Sequence, residues 1–187
     1  SVESEKDLSE KTESVARSLV AVTHYKEFFR WFRDREDREN QEIVYRYKKQ
    51  ENGANYEDYA LKAVRIAIST LLPSISEMTV DRKKLVVSVN KNDTTLDFST
   101  LSDGEKAIIT LFGDIARRLA IANPNLDEPL KGSGVILIDE IDLHLHPSWQ
   151  RKVCHALKDT FPNCQFIITT HSPQVLGELK TNEIWLL

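Results

Sequence analysis

"GVILIDEIDLHLHPSWQ", Gly134 to Gln150, decides how this chain folds. Val135 to Ile138 form an unbroken apolar run that closes on Asp139 and Glu140, the pattern of a parallel strand buried on both faces. Pro147 suits the first position of a helix, where its missing N–H has no partner to lose. Trp149, Val153, Ala156 and Leu157 follow it at helical spacing. "CQFIITT", from Cys164, repeats the strand pattern; "SPQVLGEL" reads as a short helix and "EIWLL" as a last strand. This β-α-β order predicts an α/β fold with a parallel β-sheet core.

Upstream, the period changes twice. In "LSDGEKAIITLFGDIARRLAIA", Leu101 to Ala122, Ser102 and Glu105 stand in the order of a capping box. Ala107, Ile108, Leu111, Phe112, Ile115, Ala116 and Leu119 then recur at helical steps until Asn123-Pro124. Gly104 in the first turn lowers helix propensity by roughly 1 kcal/mol relative to Ala, which makes sense if a ligand approaches the helix start. The amides and dipole exposed there favour an anion. Between Met78 and Phe98, "MTVD", "KLVVSV" and "TTLDF" read as strands, with "NKND" as a turn.

Residues 1–75 read as a helical region, and 76–187 as the α/β unit. Tyr25, Phe28, Phe29 and Phe32 make one apolar stripe, a core face or a partner surface. Tyr59, Ala60, Ala63, Val64, Ala67, Ile68, Leu71 and Leu72 make a second, ended by Pro73. Arg30, Arg33, Arg35, Arg38, Arg46, Lys48 and Lys49 could touch nucleic-acid phosphates, but interleaved acids favour a solvated, salt-bridged face.

Composition narrows the classes. With 41% hydrophobic residues in 187, a packed core is affordable, and a net charge of −4 gives no global pull toward nucleic acid. Cys154 and Cys164 match neither a redox pair nor a disulfide framework and suit a reduced, cytoplasmic setting. No apolar run reaches the roughly 18 residues of a membrane span, and no secretory signal is present. The chain begins at Ser1 and its only methionine is Met78, so a fragment or a processed product is expected.

In open α/β sheets, ligands lie beyond the carboxyl ends of the strands. Asp139 and Glu140, His171 and the capped turn before the long helix gather at that edge. Such a pair of acids can hold Mg²⁺ and orient an attacking water, and a histidine on the next strand can reach a γ-phosphate.

At these residues the chain resembles a known group. "LSDGEK", "GVILIDEIDLHLHP" and "FIITTHSP" are similar to the signature motif, the Walker B motif with its D-loop, and the H-loop of ABC-type ATPases of the SMC, RecF and OLD-like group. With "EFFRWFRDREDREN", they most resemble bacterial AAA-type predicted ATP-binding proteins linked to virulence and to retron and Septu-like defence. The likeness implies the C-terminal lobe of a P-loop ATPase using ATP and Mg²⁺. It makes Asp139 the metal-supporting acid, Glu140 the catalytic base and His171 the switch histidine. Ser102, Gly104 and Glu105 become nucleotide-binding residues, and Ser102 and Gly104 the signature residues that meet the γ-phosphate held by the opposite subunit. A head-to-tail homodimer follows, with a nuclease or other effector, or DNA, as further partner.

The resemblance has gaps. None of Gly53, Gly104, Gly113, Gly132, Gly134 and Gly177 completes G-x-x-x-x-G-K-[ST], so the P-loop is expected before Ser1 and the chain alone carries half an active site. Asp103 brings a negative charge to a turn meant for phosphate, and His146 replaces an Asp of the transporter D-loop. Two rivals stand beside this reading. Asp139, Glu140, Asp142, His144 and His146 could be ligands of a metal-dependent nuclease, provided the chain leaves the strand at Glu140. Alternatively, a P-loop-less scaffold could hold a partner through Phe28, Phe29 and Phe32.

Overall fold

The computed structural model describes residues 26–49, 56–84 and 86–185. Helix α1, 26–48, leads into α2 (Tyr59–Leu71), then β1 (Ile75–Asp81), β2 (Val86–Lys91) and β3 (Thr94–Asp97). The long helix α3 (Asp103–Ala122) precedes β4 (Gly134–Ile138), α4 (Pro147–Gln150), α5 (Val153–Thr160), β5 (Cys164–Ile168) and α6 (Pro173–Leu176). The chain is thus mixed α/β, with an antiparallel sheet in the order β1-β2-β3 and a parallel pair β4-β5.

Each element follows from local chemistry. Asp58 caps α2 by accepting the N–H groups of Ala60 and Leu61, both at 3.0 Å. Asn92 and Asp93, at φ 50° and 62°, form the two-residue turn between β2 and β3; both residue types tolerate the left-handed region such hairpins need. The turn is therefore shorter than "NKND". At Glu105 both halves of the expected capping box are made with Ser102.

Phe28 and Phe32 are fully buried in the same core as Leu61, Val64, Ile108, Phe112, Leu157 and Phe161. The stripe is therefore core, which removes the surface the scaffold reading needed; Tyr25 lies outside the described residues. Helix α1 is fixed further by buried acids. Glu36 accepts the N–H of Val80 at 3.1 Å, and Glu39 accepts that of Asp58 at 2.8 Å and two bonds from Arg65 at 3.1 and 2.9 Å. Burial pushes the Glu36 carboxyl above its usual range, against the opposing pull of the Val80 bond, Arg82 and Arg65. Cations of α1 itself also find acids, Arg35 with Asp58 at 3.5 Å and Arg46 with Glu42 at 2.6 Å, as a salt-bridged face requires.

Three expectations are corrected. Strands β4 and β5 are covered on one side only: Ile136, Ile138, Phe166 and Ile168 face the core, while Val135, Leu137 and Ile167 are 60%, 76% and 52% exposed. The apolar run was continuous because both faces are apolar, but the described residues cover only one. The helix expected to run from Pro147 is broken at Arg151 and Lys152 into α4 and α5. Ile184 and Trp185 of "EIWLL" are not in a strand, Thr181–Glu183 being a 3-10 turn; 186–187 lie outside the described residues.

Gly113 explains how α1 reaches α3. A methyl group there would lie 2.5 Å from Cζ of the fully buried Phe28. Gly113→Ala should therefore lower stability by about 1–3 kcal/mol through overpacking, although helix propensity alone favours Ala. Urea unfolding checks this, and a more stable variant would show that the ring is free to move.

Candidate functional site

The parallel register sets Ile138 beside Ile168, so β4 and β5 end at the same level. The ladder runs slightly further: Thr169 N–H donates to Ile138 O at 3.0 Å, and Ile141 N–H to Thr169 O at 3.1 Å. Between these bonds the chain leaves the strand. Glu140 has φ 48°, a left-handed conformation that costs a non-glycine residue roughly 1–3 kcal/mol and that His144, at φ 63°, repeats in the same turn.

Two threonines hold that departure. The Thr169 hydroxyl donates to Asp139 Oδ1 and accepts the Glu140 N–H at 2.8 Å. The Thr170 hydroxyl donates to Asp142 Oδ1, which also accepts the His171 N–H at 3.3 Å. The loops carrying Asp139, Glu140 and His171 are thereby joined. Asp139 and His171 are exposed. The residues overlooked in the sequence are Thr169 and Thr170, together with Asp142 as a structural acceptor. Their signal was present: two hydroxyls between an apolar strand and a histidine.

The capped turn lies beside the same loop. At Glu105, Oε2 accepts the Ser102 N–H at 3.1 Å and its hydroxyl at 2.8 Å, while Oε1 accepts Lys91 Nζ at 2.6 Å. Burial pushes the Glu105 carboxyl up, but the bonds from Lys91 and Ser102 outweigh it and hold the group below its usual range. Lys91, on β2, was not foreseen, because its partner is close only in the fold. The Asp103 side chain is 86% exposed and lies 3.3 Å from Lys106 Nζ, which offsets its charge. Gly104 packs against the turn after Glu140. A methyl group there would sit 3.5 Å from His144 O and 3.9 Å from His146 N, ordinary contact distances. Packing among the described residues therefore does not require glycine at 104.

The nuclease ligands do not converge. His146 caps α4, its Nδ1 accepting the Ser148 N–H at 3.3 Å, and Asp142 is engaged by Thr170. Among the described residues, no group of three His, Cys, Asp or Glu side chains could hold a metal. One exposed carboxylate still fits Mg²⁺, which keeps several waters and takes phosphate oxygens rather than an all-protein cage.

The family described as "AAA domain, putative AbiEii toxin, Type IV TA system" matches residues 2–177. The chain belongs to this family. Among its relatives, the "Retron Ec83 probable ATPase" of Escherichia coli is 50% identical over 127 residues, covering 68% of this chain and 23% of the relative. The "Retron Vc95 probable ATPase" of Vibrio cholerae serotype O1 biovar El Tor is 35% identical over 212 residues, 96% of this chain and 41% of the relative. The "Septu protein PtuA" of Bacillus mycoides (strain KBAB4) is 36% identical over 135 residues, 71% of this chain and 18% of the relative. The chain thus spans less than half the length of each of these three. Among the described residues no helix is long and apolar enough to cross a membrane.

Because space at 104 is ordinary, Gly104→Ala should leave the fold intact, from neutral to about 1 kcal/mol more stable in urea. Any loss of nucleotide-dependent behaviour in that variant would then report a contact from outside the described residues. Clear destabilisation would show instead that the contact with His144 and His146 demands glycine.

Proposed function

We propose that this chain is the signature- and Walker B-bearing lobe of an ABC-type ATPase, in which Mg²⁺-dependent ATP hydrolysis at sites shared by two head-to-tail copies drives an anti-phage defence activity. The observation that carries this reading is the displaced Glu140. Its backbone is turned out of β4 and pinned by Thr169, beside Asp139 and within a loop joined through Asp142 to His171. Retron and Septu relatives supply the biological setting. A nuclease or other effector, or DNA, is the partner class.

In this reading Asp139 supports Mg²⁺, which when bound offsets charge on the phosphates. Glu140 accepts a proton from the attacking water, and His171 contacts the γ-phosphate or that water. Ser102 and Gly104 offer the start of α3 to the partner's nucleotide, and Glu105 holds Ser102 in place. The P-loop comes from polypeptide outside these 187 residues, which contain no G-x-x-x-x-G-K-[ST]. The open face of Val135, Leu137 and Ile167 is apolar enough to pack against it.

In the full-length protein, Glu140→Gln should keep ATP binding and ATP-driven dimers while abolishing turnover, since the amide preserves shape and removes the base. Steady-state phosphate release measures it, and hydrolysis at the parental rate would strip Glu140 of its role.

Mixing tests the shared site. Ser102→Arg blocks the surface offered to the partner, and Asp139→Ala disables the metal support in the same subunit; each homodimer should be inactive. A mixed dimer has one composite site free of both lesions. Random pairing makes about half the dimers mixed, so roughly a quarter of parental activity should return if sites act independently. Normal ATP-driven dimerisation of Ser102→Arg alone would rule out phosphate docking at this helix start.

A further inference from the structure

Behind the displaced glutamate lies a partly buried carboxamide that the proposed chemistry does not use. Gln150, the last residue of α4, donates through Nε2 to Asp142 O at 3.2 Å and Leu145 O at 2.9 Å. Its Oε1 lies 2.8 Å from the Ser172 hydroxyl, whose one proton faces Gln150 Oε1 at the shorter distance and Gln174 Oε1 at 3.0 Å. The amide has only one workable orientation, because both carbonyls need N–H donors and the remaining atom must accept. Ser172 is buried and caps α6, its oxygen accepting the N–H groups of Gln174 at 3.1 Å and Val175 at 3.4 Å.

These bonds close a ring. Asp142 is gripped at its carbonyl by Gln150 and at its carboxylate by Thr170 and the His171 N–H. Ser172, next to His171, returns to Gln150. The same turn continues to His144 and His146, the neighbours of Gly104. We propose that Gln150 is a positioning residue: its carboxamide clamps the turn that follows Glu140 to the loop that carries His171, and so sets the base and the switch histidine relative to each other. Hydrophobic packing could hold the two loops near each other, but it has no directional preference; three hydrogen bonds to one planar group fix distance and angle. This inference rests on the ATPase reading above.

The test uses the full-length ATPase and steady-state hydrolysis. Gln150→Leu keeps the size and removes every bond. Ser172→Asp keeps an acceptor to cap α6 but takes away the proton that Gln150 Oε1 receives. Each should lower kcat by roughly 10- to 100-fold, the scale of a misplacement of about 1 Å, with a much smaller change in KM for ATP, most of whose phosphate contacts belong to the P-loop. The double variant should be no slower than the slower single, because one clamp breaks only once. Parental kcat in both singles, losses that multiply in the double variant, or a rise in KM with kcat unchanged would overturn the inference. Should Gln150→Leu fail to fold, Ser172→Asp alone decides by the same split of kcat and KM. Glu140→Gln, run beside them, separates the two ideas: its turnover at the parental rate sinks the ATPase reading, whereas an inactive Glu140→Gln beside a normal Gln150→Leu sinks only the clamp.

Discussion

Beyond the backbone ladder, the Thr169 hydroxyl ties the ends of the two parallel strands together. Thr169 donates to Asp139 and accepts from the Glu140 N–H, so β5 dictates the path of β4 just after its last ladder residue. A strand left to its own geometry would put Asp139 and Glu140 on opposite faces of the sheet. The left-handed turn at Glu140 breaks that alternation, at a conformational cost of roughly 1–3 kcal/mol. A hydrogen bond of this kind returns about 1 kcal/mol, so the rest must come from the surrounding structure. That surrounding is the ring through Asp142, Gln150 and Ser172, with Ile141 and Leu145 buried on either side of Asp142.

The sequence made the elements readable wherever the signal was local. The capping box at Ser102, the helix stop at Pro73 and the first-position proline at 147 are each matters of a few neighbouring residues, and each corresponds to the observed element. Strand burial was less readable, because an apolar residue at 135, 137 or 167 looks the same whether its face is covered or open. The site was legible in its chemical groups but not in its supports. Asp139, Glu140 and His171 can be singled out as candidates by type and position, whereas Lys91 meets Glu105, and Gln150 meets Ser172, only across the fold.

Charge explains why Glu105 can lie next to a turn suited to anions. An isolated carboxylate at the start of α3 would compete with an incoming phosphate for the same amides and dipole. Here Glu105 spends its oxygens on Ser102 and Lys91, and the lysine neutralises it. Asp103 is treated similarly by Lys106. The first turn therefore carries two acids with two cations beside them, and its dipole is not overwhelmed by fixed negative charge.

The parallel pair also limits what the chain can do alone. Two strands cannot bury both faces without a second layer, and the face that the described residues leave open carries Val135, Leu137 and Ile167. A polar face would have suited solvent, as the alternating strands of half-exposed sheets do. Keeping it apolar makes sense only if it is covered in the working protein, and the element that covers it will then lie against the same strands whose ends carry Asp139 and His171. Under the ATPase reading, the P-loop is the element that most needs that position, since its phosphates must reach both residues at once. The apolar face and the acidic edge are then two consequences of one arrangement: the strands that position the catalytic loops also provide the surface against which the nucleotide-holding element packs.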